Sequence, residues 1–467
     1  MAKKSDAKQA KISKIEITNE KLSGRGGLLF FLRYVENIGF YSLIDKKMNN
    51  IKGSLKGLGV GQFIKQILAY FINGDDLSMS SFDRRKADEA YQMLLENRSE
   101  DMASSHQIKR FFRRLMPLPT LVYRRILLLL FIWRLRVEKP TTVVLFADTV
   151  VWNNDDAKKR QGVEPTYKKK KGFQPLQISW GPYVVDALFR SGSVHSNHGD
   201  DLIQAITRLT HAIRRFYKEV PILVLTDSGF LDQKNFTYFE NQLKIFYICV
   251  GKLYDDIKEY VQAVPLQSFR KHLNGLQEWF YVEFGNQLKS WHRFRRCIYT
   301  TLQTDEDGQI LFEFARPDTV IYTNIGMDPK MTDALIQAGG QSYLEAETII
   351  ELNHQRGKSE LNHRSQKEFA GKEQFPFERF GMNQAYYYFL LFSHLLYEAY
   401  KHDVTQDILS VSCYPVTFRR QMLDFAVKII SRGGQFILKV PKTIFDHLNL
   451  KELWRRTGSP PHPIFAQ

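Results

Sequence analysis

The stretch TTVVLFADTV, residues 141–150, decides the fold. It is rich in β-branched residues, shows no polar alternation, and reaches an acid, Asp148, at its end. A short continuous apolar run of this kind reads as a strand buried on both faces. Working outward, LQISW (176–180) and GPYVVDALF (181–189) read as two further strands around a Gly-Pro turn. Residues 200–216 have helical spacing. PILVLTD (221–227) is another short buried strand ending in an acid, Asp227; residues 231–243 read as a helix and IFYICV (245–250) as a fifth strand. The order β-β-β-α-β-α-β, with continuous apolar strands, predicts an α/β domain whose sheet is covered on at least one face.

The remainder is organised around that domain. The chain has 467 residues, too many for one ordinary core, and a formal charge of +16. Such an excess speaks about partners, and nucleic acid is the commonest polyanion. Residues 1–22 read as a basic mobile arm. Residues 23–138 have helix-spaced apolar positions and read as a helical DNA-binding domain, in which Ser104 and Ser105 precede a helix carrying Lys109, Arg110, Arg113 and Arg114. Residues 139–255 form the first part of the α/β core. Residues 256–344, with EWFYVEFG, RRCIYTTLQT, ILFEFA and TVIYTNI as strands, read as a mainly β insertion. Residues 345–440 return to helices, including TFRRQMLDFAVKII, and 441–467 form a tail with one short helix. Cys249, Cys297 and Cys413 are far apart in sequence, which argues against a zinc or disulfide framework. The basic N-terminus lacks a signal-peptide core, and the apolar run Ile126 to Trp133 is too short to span a bilayer, so a cytoplasmic protein with no membrane partner is expected.

Asp148 and Asp227 carry the chemical argument. In an RNase H-like strand order the first and fourth strands are neighbours at the sheet centre. Two carboxylates at their ends repel unless a cation stands between them. Mg²⁺ takes oxygen ligands, and a pair of ions roughly 3.5–4 Å apart stabilises both attacking and leaving oxygens of a phosphoryl transfer. A third ligand is expected from IIELNHQRGKSELNHRSQKEF (349–369). At about 100° per residue, Asn353, Arg356, Glu360 and Lys367 fall within an arc of about 60° on one helix face. Glu351 and Glu368 point elsewhere on that wheel.

These residues resemble a known family. The chain is similar to DDE transposases of bacterial insertion sequences, in particular the group marked by a Y-x2-R-x3-E-x6-K signature. Asn353, Arg356, Glu360 and Lys367 keep its spacing, with Asn in place of Tyr. FADTVV (146–151), FRSGSVHSNHGDD (189–201), TDSGF (226–230) and ERFGMNQAYYY (378–388) resemble blocks of one subgroup, and the resemblance runs from about residue 25 to 440. It implies an RNase H-like core interrupted by the insertion. It further implies that Asp148, Asp227 and Glu360 bind two Mg²⁺ ions, which Mn²⁺ can replace, and that a homodimer acts on DNA. The expected reaction is metal-dependent cleavage at the inverted repeats of transposon ends, followed by attack of the freed 3′-hydroxyl on target DNA. Arg356 and Lys367 are expected on phosphates, with Asn353 beside them. A metal-dependent nuclease without strand transfer, and a DNA-binding protein that has lost catalysis, are the alternatives.

Further DNA contacts are expected from the run Lys168, Lys169, Lys170 and Lys171, between the first and second strands of the core. In the insertion, Trp279 and Trp291 can each pack a small core or stack on a base drawn from a duplex. Arg293, Arg295 and Arg296 beside Trp291 make Trp291 and Arg296 the stronger DNA candidates. His195, His198, Asp200 and Asp201 lie close in sequence but form no complete zinc set, and read as loop residues.

Overall fold

The computed structural model describes residues 12, 14–48, 51, 56–74, 77–312, 315–461 and 463–464. Strand β1 (Lys21–Ser23) precedes helices α1 (Leu28–Asn37), α2 (Phe40–Met48), α3 (Val60–Asn73), α4 (Ser81–Ala87), α5 (Glu89–Leu94), α6 (Ser105–Leu115) and α7 (Thr120–Glu138). The arm expected over 1–22 lies mostly outside the described residues, and its last two belong to β1. α6 starts where sequence chemistry places it: the Ser104 hydroxyl accepts from the Gln107 N–H and the Gln107 side chain accepts from the Ser104 N–H. It buries Ile108, Phe111, Phe112 and Leu115 and turns Lys109, Arg110, Arg113 and Arg114 to solvent.

The α/β part follows as β2 (Val143–Thr149), β3 (Trp152–Asn153), β4 (Glu164–Pro165), β5 (Lys171–Phe173), β6 (Leu176–Trp180), β7 (Tyr183–Leu188), α8 (Asp201–Phe216), β8 (Ile222–Thr226), α9 (Gln233–Tyr238) and β9 (Phe246–Val250). Next come α10 (Asp255–Ala263), β10 (Arg270–Asn274), β11 (Gln277–Asn286), β12 (Arg295–Leu302), β13 (Asp318–Thr323) and α11 (Pro329–Gln337). The chain closes with α12 (Ala346–Gln355), α13 (Gly357–Ala370), α14 (Phe380–Tyr400), α15 (Pro415–Phe418), β14 (Val427–Arg432), β15 (Gln435–Lys439), α16 (Lys442–His447) and α17 (Leu450–Gly458).

A nine-stranded mixed sheet in the order β10-β11-β12-β13-β9-β8-β2-β6-β7 is the centre of the molecule. β2, β8 and β9 run parallel, whereas β6 and β7 join antiparallel on one side and β10 to β13 on the other. The strands of the 256–344 segment therefore prolong the central sheet. The continuous apolar runs have a direct cause: the sheet is covered twice. Val143, Leu145, Ile222 and Val224 enter a large core that also holds α1, α3, α7 and α14. The alternate residues Leu223, Leu225, Phe246 and Ile248 pack with Ile349 and Ile350 of α12, and Val144 and Phe146 lie against them.

α14 is buried along almost its whole length, as a helix apolar all round must be. Tyr123 of α7 stacks on its Tyr388 at 4.8 Å, and Phe71 of α3 meets its Tyr386 edge-on at 5.0 Å. The N-terminal helices thus share one core with the sheet. Among the described residues no single helix is long and apolar enough to cross a membrane.

Four expectations change. TFRRQMLDFAVKII is helical only in its first part; from Val427 it becomes β14, because its β-branched residues pair with β1 and β15. ILFEFA forms one isolated bridge, Thr304 to Ile310, and residues 313–314 lie outside the described set. The tail carries two helices, α16 and α17. The helix expected across 349–369 is interrupted at Arg356, so Asn353 lies in the last turn of α12 while Glu360 and Lys367 belong to α13.

Candidate active site

β2 and β8 are parallel neighbours with Ala147 opposite Thr226, and each continues by one residue into an aspartate. The pleat decides where these side chains go. Asp148 has the parity of Val144 and Phe146, and Asp227 that of Leu223 and Leu225, so both leave the sheet on the face covered by α12. Local bonds fix them. The Thr149 N–H donates to Asp148 Oδ1 at 2.7 Å, and the Gly229 N–H donates to Asp227 Oδ1 at 2.9 Å. A side chain at residue 229 would begin 3.0 Å from that oxygen and 3.2 Å from Ser196 Cβ, which accounts for the glycine.

The electrostatics are those of a site that wants a cation. Burial, and then the charge of Asp227, push the Asp148 carboxyl up to about 6; Glu360 adds to this, and the Thr149 N–H and Arg356 oppose it. Burial also raises Asp227, against the Gly229 N–H and Arg356. Arg356 at the α12–α13 junction is therefore felt by both strand-end acids. Glu360, on the first turn of α13, is exposed to solvent. Among the described residues no three His, Cys, Asp or Glu side chains close on a single point. The fit to a divalent ion is chemical: two hard oxygen donors, half-buried and mutually repelling, with a third acid in electrostatic range.

One residue absent from the sequence reading stands in the site. His363 Nδ1 lies 3.9 Å from Asp148 Oδ2. Burial, with the charges of Lys367 and Lys168, brings the imidazole down to about 4, so it is neutral near pH 7. The signal was available: His363 is three residues beyond Glu360, and a slightly wider arc on the same helical wheel includes it.

Other candidates fall into two groups. The turn 166–170 between β4 and β5 reaches the acids: Tyr167, raised first by burial, feels Asp148, Asp227 and Glu360, and His363 feels the charge of Lys168. Lys168, Lys169, Lys170 and Lys171 are all exposed. Ser196, in the loop of His195 and His198, lies 3.1 Å from the Thr149 hydroxyl, whereas Asp200 and Asp201 pair with Lys234 and Arg190. Lys367 meets Glu373 at 3.0 Å. Glu351 and Glu368 engage Gln355 and Arg364.

The insertion residues expected on DNA are engaged within the protein. Trp291 is 5% exposed and packs edge-on against Tyr322 at 4.8 Å and Phe236 at 5.7 Å, with the Arg295 guanidinium over its ring. In this conformation the ring packs the core and is closed to a base. Arg296 is committed to Glu283 at 2.6 Å. Trp279 is half-buried against the ring of His354, at 4.5 Å.

The family model described as "Transposase DDE domain group 1" matches residues 5–456. No curated protein matches the chain. Among solved structures, a piggyBac transposase synaptic complex with hairpin DNA is similar at a TM-score of 0.40 and 11% identity, covering 95% of this chain and 85% of that one. With its match spanning nearly every residue, the chain belongs to the DDE transposase family, enzymes that cleave and join DNA with the help of divalent metal ions.

Proposed function

We propose that this transposase cleaves the inverted-repeat ends of a bacterial insertion sequence of the Y-R-E-K group and transfers the freed 3′-hydroxyl to target DNA. Asp148, Asp227 and Glu360 would hold two Mg²⁺ ions. When bound, such ions activate the attacking oxygen and offset charge on the phosphate. The observation that carries the reading is the pair of half-buried aspartates at the ends of adjacent parallel strands, with Arg356 and Glu360 in electrostatic range. The strand order β7-β6-β2-β8-β9, an antiparallel meander continued by two parallel strands, supports an RNase H-like core.

The protein's own groups have positioning work to do. Arg356 and Lys367 draw the phosphates on either side of the scissile bond toward the acids, with Asn353 alongside. His363, neutral beside Asp148, can donate a hydrogen bond to a carboxylate or a phosphate oxygen without adding charge. The lysine turn at 168–171 holds the duplex backbone. Cutting two ends together implies a homodimer on DNA, acting in the bacterial cytoplasm.

The test is an assay with paired inverted-repeat ends, a supercoiled target and Mg²⁺. Joined products that vanish with EDTA are expected. Ends that are nicked but never joined would identify a nuclease instead.

The lysine turn makes a separate prediction. Each phosphate neutralised contributes about 0.9 to the slope of log affinity against log salt on duplex DNA. Replacing Lys168 to Lys171 by Ala should lower the magnitude of that slope by about 2–4 in a fluorescence-anisotropy titration. An unchanged slope returns the run to a solvated surface.

A further inference from the structure

α13 carries Glu360 and His363, yet it has almost no apolar face. In GKSELNHRSQKEFA the apolar side chains are Leu361, Phe369 and Ala370, and Leu361 is 50% exposed. Apolar burial therefore anchors the last turn alone, and the earlier turns are seated by polar side chains. The Asn362 amide donates to the Gly181 carbonyl at 2.7 Å, in the turn between β6 and β7. Ser365 reaches His394 of α14 at 2.9 Å. Gln366, fully buried, exchanges two bonds with Gln177 of β6. Gln177 Nε2 donates to Gln366 Oε1 at 2.8 Å, and Gln366 Nε2 donates to Gln177 Oε1 at 3.2 Å. Gln177 Nε2 also donates to the Tyr387 hydroxyl at 2.8 Å. Gln177 is the direct cross-strand partner of Asp148. The amide pair thus ties the helix of Glu360 to the residue beside Asp148.

We propose that Gln177 and Gln366 are positioning residues for DNA cleavage: their reciprocal amide pair sets the register of α13 against β2 and β6, and with it the approach of Glu360 and His363 to Asp148. The proposal rests on the reading of Asp148 and Glu360 as metal ligands. Its physical basis is directionality. Apolar contacts let a helix slide or rotate at little cost, whereas two bonds between planar amides fix both motions. A reactive constellation must be held within about 0.5 Å, and a misplacement of about 1 Å costs on the order of 10²-fold in rate.

The test compares wild type, Gln177→Leu, Gln366→Leu, the double Leu variant and Gln366→Asn. Mn²⁺ binding to the protein is followed by electron paramagnetic resonance, and single-turnover cleavage of pre-bound ends is measured against Mn²⁺ concentration. Half-saturating Mn²⁺ should rise about tenfold in the Leu variants, and cleavage at saturation should slow by about 10–100-fold. The double variant should be no worse than either single, and DNA affinity should stay within about twofold. A folded double variant with wild-type rate and Mn²⁺ dependence overturns the proposal. Should the Leu variants not fold, Gln366→Asn decides, because it keeps an amide but draws it back by one methylene and so breaks the reciprocal pair: a rise of about 2–3-fold in half-saturating Mn²⁺ is expected, and no shift overturns the proposal. Asp148→Ala separates the two levels. If it binds Mn²⁺ like wild type, the ligand reading fails whatever the glutamines do.

Discussion

Asp148→Ala, Asp227→Ala and Glu360→Ala should each lower the rate of end cleavage by at least about 10³-fold while leaving DNA affinity within about threefold. The rate effect corresponds to roughly 4 kcal/mol of lost transition-state stabilisation, which is what removal of a ligand from a phosphoryl-transfer site is asked to account for. Binding should persist because it is spread over many Lys and Arg contacts with the backbone. The electrostatics add a control against misfolding. Asp148 is raised by burial and by the charge of Asp227, so removing either acid relieves a repulsion. Asp148→Ala and Asp227→Ala should therefore melt at or above the wild-type temperature in the absence of metal, and a lower temperature would contradict the repulsion. Glu360 is exposed, and its substitution should leave stability unchanged. Glu351→Ala and Glu368→Ala serve as controls and should cleave normally. Normal cleavage by Glu360→Ala would move the third ligand to another acid, with Glu351 the first to examine.

What the sequence made legible follows from how local each feature is. Of the five core strands, β2, β8 and β9 were readable because each carries apolar residues on both faces, one set for each core cluster. β6 and β7 send their apolar residues into the larger cluster alone and were readable from the Gly-Pro turn between them. The two strand-end acids were readable because each is the first charged residue to follow an apolar run. Glu360 was found by spacing, yet the wheel assumed one helix and passed over Gly357, the one local residue that opposes continuity at the break after Arg356. β14 was missed because its identity comes from partners far away: Lys21 to Ser23 pair with Val427 to Ile429, and helical spacing across 417–430 was the only local signal. Trp291 misled for the opposite reason. Its arginine neighbours suggested a DNA surface, but Arg295 turns inward to Glu240 at 2.9 Å and lies over the indole. The pair Gln177 and Gln366, 189 residues apart, leaves no trace in either local segment.

Asp403→Ala should destabilise the protein by about 3–5 kcal/mol, because it breaks a buried ion pair from one side. Asp403, just past α14, is 1% exposed and accepts from Arg134 Nη1 at 2.8 and 3.0 Å and from the Tyr34 hydroxyl at 2.6 Å. Arg134 of α7 has no exposed side-chain surface, and its remaining carboxylate contact is Glu138 at 2.9 Å. Loss of Asp403 leaves that guanidinium under-compensated away from water. Tyr34→Phe removes a single bond and should cost about 1 kcal/mol. The pH dependence has a definite sign. Burial pushes the Asp403 carboxyl up, but His402, Arg134 and Tyr34 together outweigh it and hold the group below its ordinary value. A carboxyl lowered on folding stabilises above the ordinary carboxylate range, and that stability is lost as pH falls through the lowered native value. The difference between wild type and Asp403→Ala should therefore be full at pH 7 and narrow below about pH 4. Urea unfolding at both pH values measures it. Because Asp403, Arg134 and Tyr34 join α14, α7 and α1, one transition should report the helical layer and the sheet together. A variant that unfolds at the wild-type urea midpoint at pH 7 would show that this pair contributes nothing to holding the N-terminal helices on the core.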